Sequence, residues 1–345
     1  MENKYEQCPV EHALYIKKHG GRIMFIDLYV DDLVFMGNDV ELTKKFKRTM
    51  EKEFEMTDLG HMRYFLGMKV KQLETGIFVS QERYAEDILS KFKMARCCPV
   101  STPMEPDTKL SKFDGGDHVD ANKYRSLVGS LRYLKSTRPD LLLSVGIVSR
   151  YMEESTYTHW RALKRILRYV RGTTSLRLYY TRSDDYRLVG YSDSDWCGDV
   201  DYRKSTSGYV FFMSNTAFTW LSKKQPIVTL STCEAEYVAA SLSVCHATCL
   251  RNLLSKLEMK QKGGTVIRVD NKSAIELAKN SVNHGRNKHI DVKFHSIREQ
   301  VKEGNVEMVH VGSRNQIVDL FTKPLPTVLF NNYKNLIGMK DERNI

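Results

Sequence analysis

The run Tyr191-Ser-Asp-Ser-Asp-Trp196 closes an apolar stretch that begins at Leu188, and it constrains this chain more than any other feature. Side chains alternate along a strand, so Asp193 and Asp195, two apart, leave the same face of a sheet. Two carboxylates on one face repel each other unless a cation lies close by. Three further acids stand in informative contexts, Glu236, Asp270 and Asp319. Converging carboxylates suit a hard ion that prefers oxygen ligands, such as Mg²⁺.

The pattern around these acids predicts what holds them. Residues 188–194, 209–213 and 217–222 read as three successive strands, followed by a helix over 232–257 and a strand over 266–270. A short helix, an amphipathic helix over 289–303 and a last strand over 306–311 complete the series. Hairpin-linked strands followed by alternating helix and strand predict a mixed sheet with helices packed on it. Ser231 and Glu234 form an S-x-x-E capping box, which gives Glu234 a structural task. Glu236 lies about 200° further round the helix and is free to reach a metal. Asp270 reads either as a helix N-cap or as a ligand. Asp319 falls in a terminal helix over 315–323, where an exposed Asp would be unremarkable. His289, His295 and His310 are acid–base candidates, although histidines on helices and strands more commonly serve packing or the surface.

Nearer the N-terminus, residues 22–30 and 33–36 are apolar runs flanking Asp31-Asp32, a hairpin with a carboxylate pair at its tip. Asp also favours tight turns on structural grounds alone. Residues 97–120 hold Pro99, Pro103, Pro106 and Gly115-Gly116 without apolar periodicity, which predicts a linker. Helical patterns follow over 124–136, 139–152 and 158–171, and Pro139 suits a first helical turn. In the third, Arg161, Lys164, Arg165, Arg168 and Arg171 share a face beside an apolar stripe of Trp160, Leu163, Leu167 and Val170. That face is either a phosphate-binding surface or a solvated one. The chain carries 53 Lys and Arg against 42 Asp and Glu, a net charge of +11, which favours a polyanionic partner.

Seven cysteines, an odd number with no C-x-x-C pair, predict a reducing compartment. Cys245, His246 and Cys249 lack the second ligand pair of a structural zinc site. With no run of 18 apolar residues and no apolar leader before Asp31, the expectation is an intracellular protein, cytoplasmic or nuclear, with no membrane partner.

Several ordered motifs carry a family resemblance. Tyr29-Val-Asp-Asp32 looks like the catalytic hairpin of Ty1/copia reverse transcriptases. Phe54-Glu-Met-Thr-Asp-Leu-Gly60, Tyr64-Phe-Leu-Gly67 and Ser80-Gln81 with Tyr84 follow in that family's order, as do 124–131 and Thr137-Arg-Pro-Asp140 of its connection. Segments 190–196, 203–209, 220–225, 233–237, 269–274, 288–291 and 319–323 resemble the ribonuclease H of copia elements.

The resemblance implies a retrotransposon Pol polyprotein fragment of α+β and α/β class. It implies a truncated reverse-transcriptase palm over 1–96, a linker over 97–122, a helical connection over 123–182, a ribonuclease H-like domain over 183–326 and a C-terminal tail over 327–345. It also implies that Asp193, Glu236, Asp270 and Asp319 bind two Mg²⁺ or Mn²⁺ ions, one helping to activate water and one stabilising the leaving oxygen. Asp195 would be a neighbour of that site. The substrate would be the RNA strand of an RNA/DNA hybrid, told from DNA by its 2′-OH. Asp31 with Asp32 would be a remnant polymerase site, because the family places fingers and another palm acid far upstream; no primer extension is expected. The competing readings are a non-catalytic nucleic-acid-binding remnant and an interaction protein. Val318 and Cys233 stand where the family usually has small residues.

Overall fold

Alternating apolar residues on either side of Gly20-Gly21 open the first sheet. The computed structural model describes residues 5–279 and 297–341, and in it both glycines take positive φ, +56° and +80°. That is the backbone of a two-residue hairpin turn matched to strand twist. The chain divides into two units, residues 1–65 with 249–260, and residues 66–248 with 261–345.

The first unit holds β1 (Glu6–Gln7), β2 (Leu14–His19), β3 (Arg22–Tyr29) and β4 (Asp32–Gly37), an antiparallel sheet in that order. Helix α1 (Val40–Glu53) follows, with Asp39 as N-cap accepting from Leu42 N at 2.7 Å. Phe46 of α1 is buried with Met24 and Ile26, and meets Phe35 edge-on. Strand β5 (Tyr64–Phe65) ends the N-terminal stretch. Tyr29 pairs with Asp32, so the tip of the β3–β4 hairpin is Val30-Asp31, and Asp32 already belongs to β4. Val30 has φ +53°, a left-handed conformation rare for a β-branched residue.

The second unit begins with β6 (Met68–Leu73), β7 (Gly76–Ser80) and α2 (Glu82–Lys91). Three helical elements match the middle patterns: α3 (Ala121–Leu134), α4 (Leu142–Val148) flanked by short 3₁₀ turns at Pro139–Leu141 and Ser149–Tyr151, and α5 (Tyr157–Gly172). Then come β8 (Leu176–Thr181), β9 (Leu188–Ser194), β10 (Thr206–Met213), β11 (Thr216–Lys224), α6 (Thr232–Lys256), β12 (Thr265–Val269) and α7 (Lys272–Lys279). Residues 297–302 are helical, and β13 (Val306–His310), α8 (Asp319–Thr322), α9 (Thr327–Leu336) and β14 (Met339–Asp341) complete the unit.

Strands β9 to β13 form the mixed sheet expected of a ribonuclease H-like fold, in the order β11-β10-β9-β12-β13. The first three pair antiparallel, while β12 lies parallel to both β9 and β13. A second, antiparallel sheet runs β14-β8-β7-β6. One core joins the helices α3, α4 and α5 to the mixed sheet: Leu131, Val145, Leu167, Val210 and Phe321 are all buried in it.

Two expectations are corrected here. Of the segment 327–345, residues 327–341 are no loose tail, because Phe330, Tyr333, Ile337 and Met339 are buried as α9 and β14 close onto the unit. The stretch 97–120 is irregular, as its prolines predict, but it is a packed strap. Met104 and Leu110 are buried, Tyr151 donates to Leu110 O at 2.7 Å, and His159 Nε2 meets Ser111 O at 3.0 Å. Arg165 pairs with Glu105 at 2.5 Å, Arg168 Nε donates to Cys98 O at 2.8 Å, and Arg171 Nε to Ala95 O at 2.7 Å. Arg165 and Arg168 therefore fasten the strap, and Arg171 fastens the residues just before it. On the same face Arg161 is exposed, and Lys164 lies half-buried over the Trp160 ring.

Candidate metal centre

Asp193, Glu236 and Asp270 converge from three separate elements, with one carboxylate oxygen of each within 4.8 Å of the others. Asp193 is the penultimate residue of β9 and pairs with Gly208 on β10. A Cβ at Gly208 would lie 2.8 Å from Val318 and 2.9 Å from Thr322, so this glycine makes room for α8 beneath the site. The larger Val318 is thereby accommodated, fully buried, next to Asp319.

Glu236 is placed by the start of α6. Ser231 Oγ accepts from Glu234 N at 3.2 Å, and the Glu234 carboxylate turns back to accept from Leu230 N at 2.6 Å, one residue earlier than a standard box. This leaves Glu236 on another face, where Oε1 accepts from Ser194 N at 3.1 Å. The buried Gln225 amide ties the neighbourhood together, donating to Ser207 Oγ at 2.8 Å and Ala235 O at 3.0 Å. Asp270 follows β12 directly. Its N-cap alternative is filled by Asn271, whose side chain accepts from Ala274 N at 3.0 Å.

Asp319 is not in that triad. It opens α8, and Lys323 Nζ holds its Oδ1 at 2.8 Å while standing 3.8 Å from Asp193 Oδ2. Thr322 Oγ1 donates to Asp193 Oδ2. Lys323 and Thr322 lie inside a motif legible in the sequence, but their partners are not legible there. Asp195 departs from the opening expectation: β9 stops at Ser194, and the Asp195 carboxylate accepts from Thr206 N across the hairpin. Burial outweighs that bond and pushes Asp195 up to about 6. Asp31 and Asp32 are exposed, with no third acid gathered beside them among the described residues. Cys245 and Cys249 are exposed, and among the described residues they form no ligand cluster with His246, which stacks on Tyr209 at 4.9 Å. His310 is exposed at the end of β13, whereas His289, His295 and the segment 288–291 lie outside the described residues.

The donor set fits a divalent ion. Asp193 Oδ1 and Glu236 Oε2 are buried and accept no hydrogen bond among the described residues, and such an orphan costs about 1–3 kcal/mol unless something else satisfies it. Burial, reinforced by neighbouring Asp319 and opposed by Lys323, pushes Asp193 up to about 7. Burial together with Asp193 and Asp270 pushes Glu236 well above the carboxylate range.

A pH dependence follows. An acid whose folded pKa lies above its unfolded value holds its proton better in the folded state, so its contribution to stability falls as pH rises through the folded value. For Asp193 that window runs from about 4, the unfolded value, to about 7. In EDTA, the melting temperature should therefore fall between pH 5 and pH 8, and Asp193→Asn should flatten the profile. Added Mg²⁺ should raise the melting temperature more at pH 8 than at pH 5, because ligands must lose protons to bind it. A wild-type profile that is flat in EDTA would count against this electrostatic picture.

Residues 1–106 match the family model described as reverse transcriptase (RNA-dependent DNA polymerase). The Pol polyprotein of transposon TNT 1-94 from Nicotiana tabacum is 41% identical over 337 residues, covering 95% of this chain and 25% of that protein. The corresponding polyprotein of transposon RE1 from Arabidopsis thaliana is 38% identical over 327 residues, 95% of this chain and 22% of its own length. This chain thus spans a quarter or less of those polyproteins. A putative transposon Ty5-1 protein of Saccharomyces cerevisiae is 30% identical, covering 68% of this chain and 77% of that protein. Among solved structures, LC11-RNase H1 isolated from compost overlaps 40% of this chain and 93% of its own, at 17% identity and a TM-score of 0.31. Among the described residues, no helix is long and apolar enough to cross a membrane.

Proposed function

This chain belongs to the Pol polyproteins of copia-type retrotransposons, and from that premise we propose that residues 183–326 cleave the RNA strand of RNA/DNA hybrids with the help of divalent cations. The observation that carries this reading is the triad Asp193, Glu236 and Asp270, the first two buried and each with one unpartnered oxygen. Those three would hold the metal, with Asp319 beside them. When bound, Mg²⁺ or Mn²⁺ supplies positive charge for activating water and for stabilising the leaving oxygen.

The protein's own groups prepare the site. Ser194 N fixes one oxygen of Glu236, Thr322 fixes one oxygen of Asp193, and Lys323 offsets the charge of Asp319. Of the basic face, Arg161 and Lys164 are the cations we assign to phosphate contact. Arg165 and Arg168 hold the strap and Arg171 the residues just before it, each with N–H groups to spare for a phosphate at its edge. Asp31 and Asp32 are assigned no polymerase reaction in this chain.

The test is a hybrid with the RNA strand end-labelled, incubated with Mg²⁺ or with EDTA. The expected result is RNA fragments only when RNA is hybridised and Mg²⁺ is present. Hybrid binding without cleavage in Mg²⁺ would favour the non-catalytic remnant instead, and no binding at all would favour an interaction protein.

A further inference from the structure

The segment 195–205, between the strand carrying Asp193 and β10, is held more firmly than a connecting loop requires. Asp195 accepts from Thr206 N, and Cys197 N donates to Ser205 Oγ at 3.1 Å. The buried Asp199 accepts from Tyr202 N at 2.8 Å and pairs with Lys224 at 2.6 Å and Arg150 at 3.3 Å. Asp201 accepts from Ser111 Oγ at 2.5 Å and Lys112 N at 2.9 Å of the strap. Within this frame Cys197 and Arg203 take φ of +55° and +53°. Two non-glycine residues in the left-handed region cost free energy that surrounding contacts must offset, and such strain gathers at sites of function.

What the loop presents is specific. Trp196 is 53% exposed, whereas Trp160 and Trp220 pack against the core. Arg203 is exposed in the same loop, and its charge has no acidic partner there, since Asp199 and Asp201 are engaged elsewhere. An exposed indole and an exposed cation carried on one firmly tied loop, the indole three residues from a metal-ligand candidate, have the composition of a nucleic-acid contact: an aromatic face for sugar or base and a charge for phosphate. The net charge of +11 points to the same partner.

We propose that the 195–205 loop is a substrate platform, on which Trp196 packs against the nucleotide next to the scissile position and Arg203 takes an adjacent phosphate. This rests on the nuclease reading above and extends it to a positioning surface.

The test measures binding of a fluorescein-labelled RNA/DNA hybrid by anisotropy in EDTA, where no cleavage occurs. Trp196→Ala should weaken binding about tenfold, the size expected for loss of one aromatic stacking contact. Trp196→Phe should restore most of it. Both variants should keep the wild-type melting temperature and Mn²⁺ affinity, which a merely structural role would not. Unchanged hybrid affinity in Trp196→Ala would overturn the platform, as would a lower melting temperature sufficient to explain the loss. If that variant binds weakly but wild type cleaves nothing in Mg²⁺, the nuclease reading fails while the platform stands. If wild type cleaves and Trp196→Ala binds equally well, only the platform fails.

Discussion

Glu236→Gln should abolish Mg²⁺-dependent hybrid cleavage, while Glu234→Ala, two residues away, should leave it largely intact. Glu236 has one oxygen fixed by Ser194 N and the other buried without a partner, and that second oxygen is the one proposed to take the metal. Loss of groups that merely support a ligand typically costs 10–100-fold, so loss of the ligand itself should exceed about a hundredfold. Gln keeps the acceptor for Ser194 N, and removing one carboxylate relieves repulsion with Asp193 and Asp270. The metal-free melting temperature should hold or rise. Glu234 instead closes the start of α6 on Leu230 N, and its loss should cost about 0.5–2 kcal/mol, as for other helix caps. Measuring melting temperature and cleavage on both variants decides the matter. An inactive Glu234→Ala that is still folded, beside an active Glu236→Gln, would show that the two acids have been assigned the wrong roles.

How far the sequence discloses this arrangement depends on the range of the interaction concerned. The capping of α6 was legible because Ser231 and Glu234 are three apart and the motif is local. The strand carrying Asp193 was legible for the same reason, its bounds matching 188–194. Alternation says less about Asp195, because it assumes the strand continues. The strand ends one residue earlier, and the Thr206 amide that claims this acid lies across a hairpin. Asp270 had two local readings, and only the side chain of Asn271 separates them. The strap shows the limit most sharply. Its prolines correctly exclude regular structure, yet among its anchors are Arg165 and Arg168, 60 to 70 residues away, donating to a Glu, a Thr hydroxyl and a backbone carbonyl. Main-chain acceptors carry no sequence signature, so a face of cations reads as a phosphate site whether or not it is used to fasten a chain segment.

Asp140→Asn should be the most destabilising of the conservative polar substitutions considered. Arg138 and Asp140 form a two-pronged pair, Nε to Oδ1 at 2.9 Å and Nη2 to Oδ2 at 2.7 Å, and both are buried. Tyr169 OH adds a third bond to Oδ2 at 2.7 Å, and Arg138 also donates to Thr173 O at 2.9 Å. Burial alone would push the Asp140 carboxyl up, but Arg138 and Tyr169 hold it below its ordinary value. Its stabilising contribution is therefore present above the unfolded carboxylate range and lost only as pH falls through the lowered folded value. Asn removes the countercharge and leaves a buried guanidinium, a loss of about 3–5 kcal/mol. Replacing the pair by apolar residues of similar size, Arg138→Met with Asp140→Leu, should recover much of that, because it removes the unpaired charge as well. Urea unfolding at pH 7 of wild type, single and double variants checks both statements. A single variant within about 1 kcal/mol of wild type would mean that water or a rearranged side chain satisfies Arg138. Because the pair binds the 3₁₀ turn at Pro139 to α5 and its Tyr169, which meets Phe330 of α9 edge-on at 5.6 Å, its expected effect is on folding. Hybrid cleavage measured well below the melting temperature should then be unchanged, separating the Thr137–Asp140 motif from the metal centre.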